Sequence, residues 1–421
     1  MINRNLEIAV TEQQDEMVRK RASRFCDRAE EWQVDLHSSQ AQVVLGVRRS
    51  GKSTLCFQVL HKSGEKFAYV NFDDERFSDC QTNQLNDILE VLYKIYGDFK
   101  YIFLDEIQNV EGWHLFVNRL LRIGLHVVVT LLSSELSTHL SGRTNEIVLF
   151  PLSFFEFCEM KGIDREKLTT RDIAARRAAF DEYMQQGGFP ELLTIRNSRN
   201  YVKTLVQNIM QRDIEQRFRV AFKSSFENMT NQILDMVPTI LNISKLANAH
   251  NIRSLHTIKN YVNYLKQAYL IVGVKPYSQK SSHRHGREKL YPIDVALMDK
   301  RDNAFSGVNL GHRLEVIVML HLLRRCNREG LDLYYLNDRS GECDFVLCRG
   351  NHVVQAIQVS FDISNSKTRK REINGLLLAA RRTGCTDLLH LTDMERSEVA
   401  AKGQKIVIRP VYEWSLEEEY R

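Results

Sequence analysis

Residues Gly46-Val47-Arg48-Arg49-Ser50-Gly51-Lys52-Ser53 fit the pattern G-x-x-x-x-G-K-[ST]. The pattern follows a short apolar run and opens an amphipathic segment, the strand–loop–helix setting that such a loop requires. Its glycines let the backbone curl so that successive N–H groups face phosphate oxygens. Lys52 then reaches the β- and γ-phosphates of a nucleotide, and the Ser53 hydroxyl holds Mg²⁺. Gly46 through Thr54 form the expected cradle, in which Arg48 and Arg49 add positive charge near phosphate or bind another domain. ATP and Mg²⁺ are the expected cofactors.

A second motif supplies acids. Tyr101-Ile102-Phe103-Leu104 is an apolar run ending in Asp105-Glu106. A carboxylate at such a strand end holds the metal shell, and its neighbour orients and deprotonates an attacking water. Asp105 takes the first role and Glu106 the second. Thr130, at the end of the next apolar run, is placed to bond the γ-phosphate or the water, with Ser133 and Ser134 as alternatives. Arg143 precedes the last strand of this part, where ring-forming ATPases put an arginine finger into a neighbour's site. It reads either as that finger, in a homo-oligomer, or as a solvated loop arginine.

The segments carrying these residues alternate. Apolar runs at Ala41–Leu45, Phe67–Phe72, Tyr101–Leu104, His126–Leu131 and Glu146–Leu149 predict strands. Leu85–Tyr96 and Trp113–Ile123 between them predict helices. This is the pattern of βαβ units around a parallel sheet. Residues 1–150 therefore form an α/β core with a helical lead-in over residues 1–40. Residues 151–275 turn helical, with periodic segments at Phe154–Met160, Arg171–Gln186, Arg199–Phe218 and Asn228–Val237. Ile243–Ala249 and Ser254–Leu270, the second capped by Ser254 or Thr257, read as a helix–turn–helix of the winged-helix kind or as a plain αα-hairpin. Residues 276–421 form a further α/β domain, with a helix at Val308–Arg325 and strands at Asp332–Leu336, Phe345–Arg349, Val353–Gln358, Asp387–Thr392 and Lys405–Arg409. Ser278–Lys289 is the expected flexible loop.

Composition narrows the class. With 421 residues, 43% apolar and 26% charged, the chain has room for about three folded domains. The 58 basic and 53 acidic residues leave a net charge of +5, too mild to settle a nucleic-acid partner. No run approaches the length of a membrane span, no secretory signal is visible at the amino end, and the 8 cysteines make no paired framework. Cys343 and Cys348 lack a partner pair for zinc. A cytoplasmic protein with reduced thiols, away from the membrane, is expected.

Taken together, the motifs resemble the bacterial and archaeal AAA-superfamily ATPases that carry a C-terminal DUF4143 domain. The resemblance rests on Gly46–Thr54, Asn71-Phe72-Asp73-Asp74 and Phe103 to Trp113. Leu140-Ser141-Gly142-Arg143, Pro151-Leu152-Ser153-Phe154 and Gly187-Gly188-Phe189-Pro190-Glu191 extend it. One departure falls after Thr130: the family's Thr-Gly-Ser-Ser is Thr130-Leu131-Leu132-Ser133-Ser134 here. The resemblance implies a restriction-endonuclease-like C-terminal fold of the PD-(D/E)xK kind. Glu315 stands for its helix glutamate, Asp344 for its metal-binding aspartate, and Gln358-Val359-Ser360 where active members carry Glu-x-Lys. A neutral Gln358 and an uncharged Ser360 leave no cation beside the water, so the site reads as degenerate and kept for binding.

Basic residues gather at Lys280, Arg284, Arg287 and Lys289 in one loop, and at Lys367, Arg369, Lys370 and Arg371 on one helix. They read as solvated faces or as phosphate contacts to double-stranded DNA; His283 and His285 lack a carboxylate for a metal. The leading expectation is an MgATP-hydrolysing ATPase coupled to a C-terminal region that binds DNA or a protein. A non-hydrolysing nucleotide switch and an ATP-controlled nuclease are the alternatives.

Overall fold

The computed structural model describes residues 4–21, 25–133, 140, 142–218, 220–278, 287–298 and 309–417. The chain divides into two compact units, Met1–Phe150 and Pro151–Arg421.

In the first unit the strands β1 (Ala41–Leu45), β2 (Phe67–Asn71), β3 (Tyr101–Asp105), β4 (His126–Thr130) and β5 (Thr144–Val148) form a sheet in the order β2-β3-β4-β1-β5. Every pairing is parallel. Strands buried on both faces must be apolar throughout. All of β1 and β3 is buried, and β2 and β4 are buried except at Asn71 and His126. Helix α1 (Arg4–Lys20), α2 (Lys52–Lys62), α3 (Leu85–Tyr96) and α4 (Trp113–Arg122) cover them. Leu55, Cys56, Phe57 and Leu60 of α2 pack with Val44, Tyr69, Phe103 and Val128 in one cluster. The chain leaves β1 for the far edge at β2 and returns through β3 and β4 to lie beside β1 again. In such sheets the crevice at the carboxyl ends of the strands is where ligands bind. Here those ends carry Gly46, Asp105 and Thr130.

The second unit opens with helices α5 (Phe154–Lys161), α6 (Thr170–Gln186) and α7 (Ser198–Asn208). A capping box begins α5: Ser153 Oγ accepts from the Glu156 N–H at 3.2 Å and Glu156 accepts back from Ser153 N–H at 2.8 Å. The single helix expected over Arg199–Phe218 is interrupted, since Ile209–Glu215 is π-helical and buries Asp213 and Glu215. Next come α8 (Lys223–Met236), β6 (Thr239–Ile240), α9 (Ile243–Ala249) and α10 (Leu255–Gln267). Ser254 is the N-cap of α10, its hydroxyl accepting from Thr257 N–H at 3.3 Å.

Helical character was expected to run to Lys275, but Ile271–Pro276 is a strand, β7, antiparallel to β8 (Lys289–Pro292). The β-branched Ile271, Val272 and Val274 favour the pleated surface over another helical turn. The remaining strands are β9 (Asp332–Asp338), β10 (Gly341–Arg349), β11 (His352–Ser360), β12 (Leu388–Thr392), β13 (Ser397–Ala401) and β14 (Gln404–Pro410). They complete a mixed sheet in the order β13-β14-β12-β11-β10-β9-β7-β8-β6. Two long helices pack on it, α11 (Leu310–Glu329) and α12 (Ser366–Thr383). From Arg313 to Leu322 every residue of α11 is buried, the polar Arg313, Glu315 and His321 included. Cys343, Cys348 and Cys385 lie in the apolar cluster under α12 with Val346, Leu376 and Ile408.

Candidate functional sites

The loop between β1 and α2 is built around two glycines. At Gly46, with φ of 143°, a Cβ would fall 2.3 Å from the Leu149 carbonyl oxygen, and Gly51 has φ of 99°. Both positions have a positive φ that only glycine adopts at little cost, and at Gly46 a side chain would also clash. Lys52 follows at the first turn of α2 and is buried. Its Nζ donates to the Gly46 carbonyl at 3.2 Å and lies 4.0 Å from Glu106 Oε1. Ser50 Oγ is buried in the same loop, with no hydrogen-bond partner among the described residues.

Three hydroxyls converge on Asp105. Ser53 Oγ donates to Oδ1 at 2.8 Å, Thr130 Oγ1 donates to the same oxygen, and the Tyr69 hydroxyl donates to Oδ2 at 3.3 Å. Burial pushes the Asp105 carboxyl above its ordinary range, opposed by the hydrogen bonds of Thr130 and Ser53 and the charges of Lys52 and Lys20. Thr130 Oγ1 also accepts from the Glu106 N–H at 2.9 Å, so one side chain fixes both acids. Thr130 was expected to face phosphate or water; here its hydroxyl is committed to the two acids.

Glu106 sits in the left-handed region with φ of 54°, a strained backbone that costs on the order of 1–3 kcal/mol and persists where function requires it. Burial is the main cause that raises its carboxyl to about 7, with the Asp105 charge adding and Lys52 opposing. Gln108 Nε2 donates to Glu106 Oε2 and steers the side chain. The donor set fits Mg²⁺ beside a nucleotide: a hydroxyl and a carboxylate already adjoin, and a lysine ammonium lies beside the acid that follows them. Ser53 and Asp105 would hold the ion, which would supply charge neutralisation at the phosphates.

Other sequence-derived residues fall differently. Arg143 is exposed, its carbonyl accepting from Ala41 N–H at 2.9 Å. It precedes Thr144, which pairs with Ala41 at the amino edge of the sheet, whereas the loop leaves the carboxyl edge. The structure therefore does not bring Arg143 to its own chain's loop. Ser133 is buried; Ser134, Ser141, Lys280, His283, Arg284 and His285 lie outside the described residues. Tyr69 gave no signal in sequence beyond a tyrosine in an apolar strand.

The second unit has its own cluster. A cavity of about 900 Å³ is lined by Lys289, Glu315, Glu342, Asp344, Gln358 and Ser360, with Lys367, Lys370 and Arg371 of α12 also at its wall. The expectation that Lys289 belongs to a flexible loop, and that this site lacks a cation, is corrected here. Lys289 is buried at the start of β8, and its Nζ lies 2.9 Å from Glu315, 2.8 Å from Glu342 and 3.4 Å from Asp344. The apolar Leu290 and Tyr291 that follow carry the strand inward and take Lys289 with them. Those carboxylates, Glu315 foremost, raise the Lys289 ammonium against the burial that would lower it.

Further hydrogen bonds hold the cluster. The Tyr291 hydroxyl donates to Glu315 Oε1 at 2.7 Å, and Asp344 Oδ2 accepts from Val359 N–H at 3.0 Å. Gln358 Nε2 donates to Glu372 at 2.6 Å while its Oε1 accepts from Asp344 N–H at 3.3 Å. Ser360 Oγ is 2.7 Å from His390 Nε2. The ammonium thus stands where the carboxylates converge. Among the described residues no group of three or more His, Cys, Asp or Glu is arranged to hold a metal ion. The basic residues of α12 are partly paired, Arg369 with Glu395 and Arg371 with Glu372. No helix among the described residues is long and apolar enough to cross a membrane.

Comparison with known proteins agrees with the first unit. Residues 38–158 match the family model described as an AAA domain, and residues 177–306 match a domain of unknown function, DUF8612. The motifs had pointed to a DUF4143 domain over residues 276–421; the family model that matches beyond the AAA domain is instead DUF8612, over residues 177–306. The chain is 31% identical over 404 residues to the uncharacterised protein MJ1544 of Methanocaldococcus jannaschii, covering 91% of this chain and 90% of that one. It is 30% identical over 344 residues to an uncharacterised protein of Haemophilus influenzae, covering 76% and 82%. Among solved structures, the Walker-type ATPase PABY2304 of Pyrococcus abyssi is similar over 65% of this chain and 95% of its own, at 13% identity. Its TM-score of 0.44 is too low to bear on architecture or activity.

Proposed function

We propose that this chain, which carries an AAA domain over residues 38–158 and shares a family with these uncharacterised archaeal and bacterial relatives, binds MgATP and hydrolyses it. The observation that carries the reading is the meeting of Ser53, Asp105 and Thr130 beside Lys52 and Glu106 at the carboxyl ends of adjacent strands. In this reading the N–H groups of the loop from Gly46 to Thr54 cradle the phosphates, and Lys52 neutralises the terminal ones. Glu106 accepts a proton from the attacking water, a role suited to a carboxyl poised near neutral pH. Arg143, at the edge of the sheet opposite its own loop, serves a second copy of the chain. Phosphate release measured for the wild type and Lys52→Ala, with and without duplex DNA, tests the proposal. Turnover that requires Lys52 supports it; equal turnover in both overturns it.

The second unit is the receiving end, binding double-stranded DNA or a protein. Support comes from β6, β7 and β8, which form an antiparallel set directly around the α9–α10 pair in chain order, as in a winged helix. Arg253, His256 and Lys259 on α10 and its lead-in are exposed. A basic face on a second helix suits phosphate and groove contacts. DNA binding that weakens steeply with salt and is lost in an Arg253→Ala, Lys259→Ala double variant supports DNA; no binding in low salt points to a protein. Gln358 and Ser360, standing where active members carry Glu-x-Lys, favour a binding role for this cavity over metal-dependent cleavage.

A further inference from the structure

Arg28, upstream of β1, is buried, and its guanidinium joins two stretches of backbone. Nη1 donates to the Ser50 carbonyl at 3.0 Å and Nη2 to the Phe150 carbonyl at 2.7 Å. Glu30 Oε2 lies 3.9 Å from Nη2 and balances the charge. Both carbonyls matter by position. Ser50 belongs to the phosphate-binding loop; Phe150 is the last residue of the first unit, with Pro151 opening the second.

The Ser50 carbonyl shares a peptide plane with the Gly51 N–H, and in a trans peptide the two point in opposite directions. A guanidinium that draws the Ser50 carbonyl to one side therefore turns the Gly51 N–H to the other. Gly51 is the residue at φ of 99° whose flexibility would otherwise leave that N–H free to rotate. A Cβ on Gly51 would lie 3.4 Å from Arg28 Nη1, so the guanidinium is packed against this peptide. The loop also meets the departing strand at its other end, where Gly46 lies against the Leu149 carbonyl and Leu149 N–H donates to Leu45 at 2.8 Å.

We propose that Arg28 is a positioning residue that aims the Gly51 N–H at the nucleotide phosphate and ties the occupied loop to Phe150, the exit into the second unit. The proposal rests on the MgATP reading and adds to it the route by which occupancy leaves the first unit. An anion drawing on the Gly51 N–H fixes the Ser50 carbonyl, the carbonyl fixes the guanidinium, and the same guanidinium holds Phe150. Two hydrogen bonds from one planar fork couple the sites more tightly than a lysine, whose ammonium is a point charge on a flexible stem.

The test compares full-length wild type, Arg28→Lys and Arg28→Gln for binding of a fluorescent ATP analogue. Hydrogen exchange of the peptides spanning Gly51–Ser53 and Leu149–Phe150 is measured with and without it. The wild type should show nucleotide-dependent protection in both peptides. Arg28→Lys should bind about tenfold more weakly, the scale of one lost hydrogen bond, and keep protection at Gly51–Ser53 while losing it at Leu149–Phe150. Wild-type protection confined to Gly51–Ser53 overturns the proposal without any variant. So does an Arg28→Lys chain with wild-type affinity and both protections. A wild type that binds no analogue overturns the underlying reading instead, and the proposal with it.

Discussion

The Ser53 hydroxyl and the Asp105 carboxylate, 52 residues apart, meet at 2.8 Å where the phosphate-binding loop passes the end of β3. The contact brings the two motifs together; Thr130 donates to the same carboxylate oxygen and Tyr69 to the other.

Thr130 is expected to matter through Asp105. Removing a partner that orients a metal ligand typically costs about ten- to a hundredfold in metal affinity. Thr130→Val should therefore raise the Mg²⁺ concentration for half-maximal turnover by about that factor, with metal-free nucleotide affinity little changed. Tyr69→Phe should act in the same direction and less, since its bond is the longer one. A magnesium titration of both variants checks this.

The pH profile follows from Glu106. Its carboxyl is raised to about 7, so the proton-accepting form is scarce below that value and dominant above it. The kcat/KM for ATP, which reports ionisations of the free protein, should rise with pH through about 7. A profile flat from about pH 5.5 to 8.5 would count against Glu106 as the base.

Lys289 holds three carboxylates in the second unit. Removing one partner of a buried ionic cluster typically costs about 3–5 kcal/mol because the remaining charges stay buried. Lys289→Met should lose stability on that scale in urea denaturation, and adding Asp344→Asn should restore part of it. No cleavage of duplex DNA is expected across Mg²⁺ and Mn²⁺ concentrations. Metal-dependent cutting abolished by Asp344→Asn would refute the binding role assigned to the cavity.

Arg143 predicts a dependence on assembly. Specific turnover should rise with protein concentration as copies associate, and Arg143→Ala should lower it while leaving nucleotide affinity intact. A monomer with full activity at every concentration, by light scattering and phosphate release together, contradicts the trans role.

Legibility followed the range of the interactions. The loop, the acid pair and the five parallel strands are written in short contiguous patterns: Gly46 to Ser53, four apolar residues before Asp105, a cap such as Ser254. The residues that escaped act over long separations. Lys289 stands beside basic and histidine-rich residues that look like loop, and its partners Glu315, Glu342 and Asp344 lie far along the chain, Glu342 being 53 residues on. Arg28 and Tyr69 likewise acquire meaning from Phe150 and Asp105, 122 and 36 residues away. The strand at Ile271–Pro276 was hidden behind a helix that ends without glycine or proline at Gln267.

The most direct test of the central claim is ATP turnover by the wild type and Glu106→Gln, run beside a nucleotide-binding assay. Steady turnover in the wild type, lost in Glu106→Gln with nucleotide affinity retained, is the predicted result. Equal turnover in the two, or nucleotide bound without turnover in the wild type, would contradict hydrolysis at Glu106.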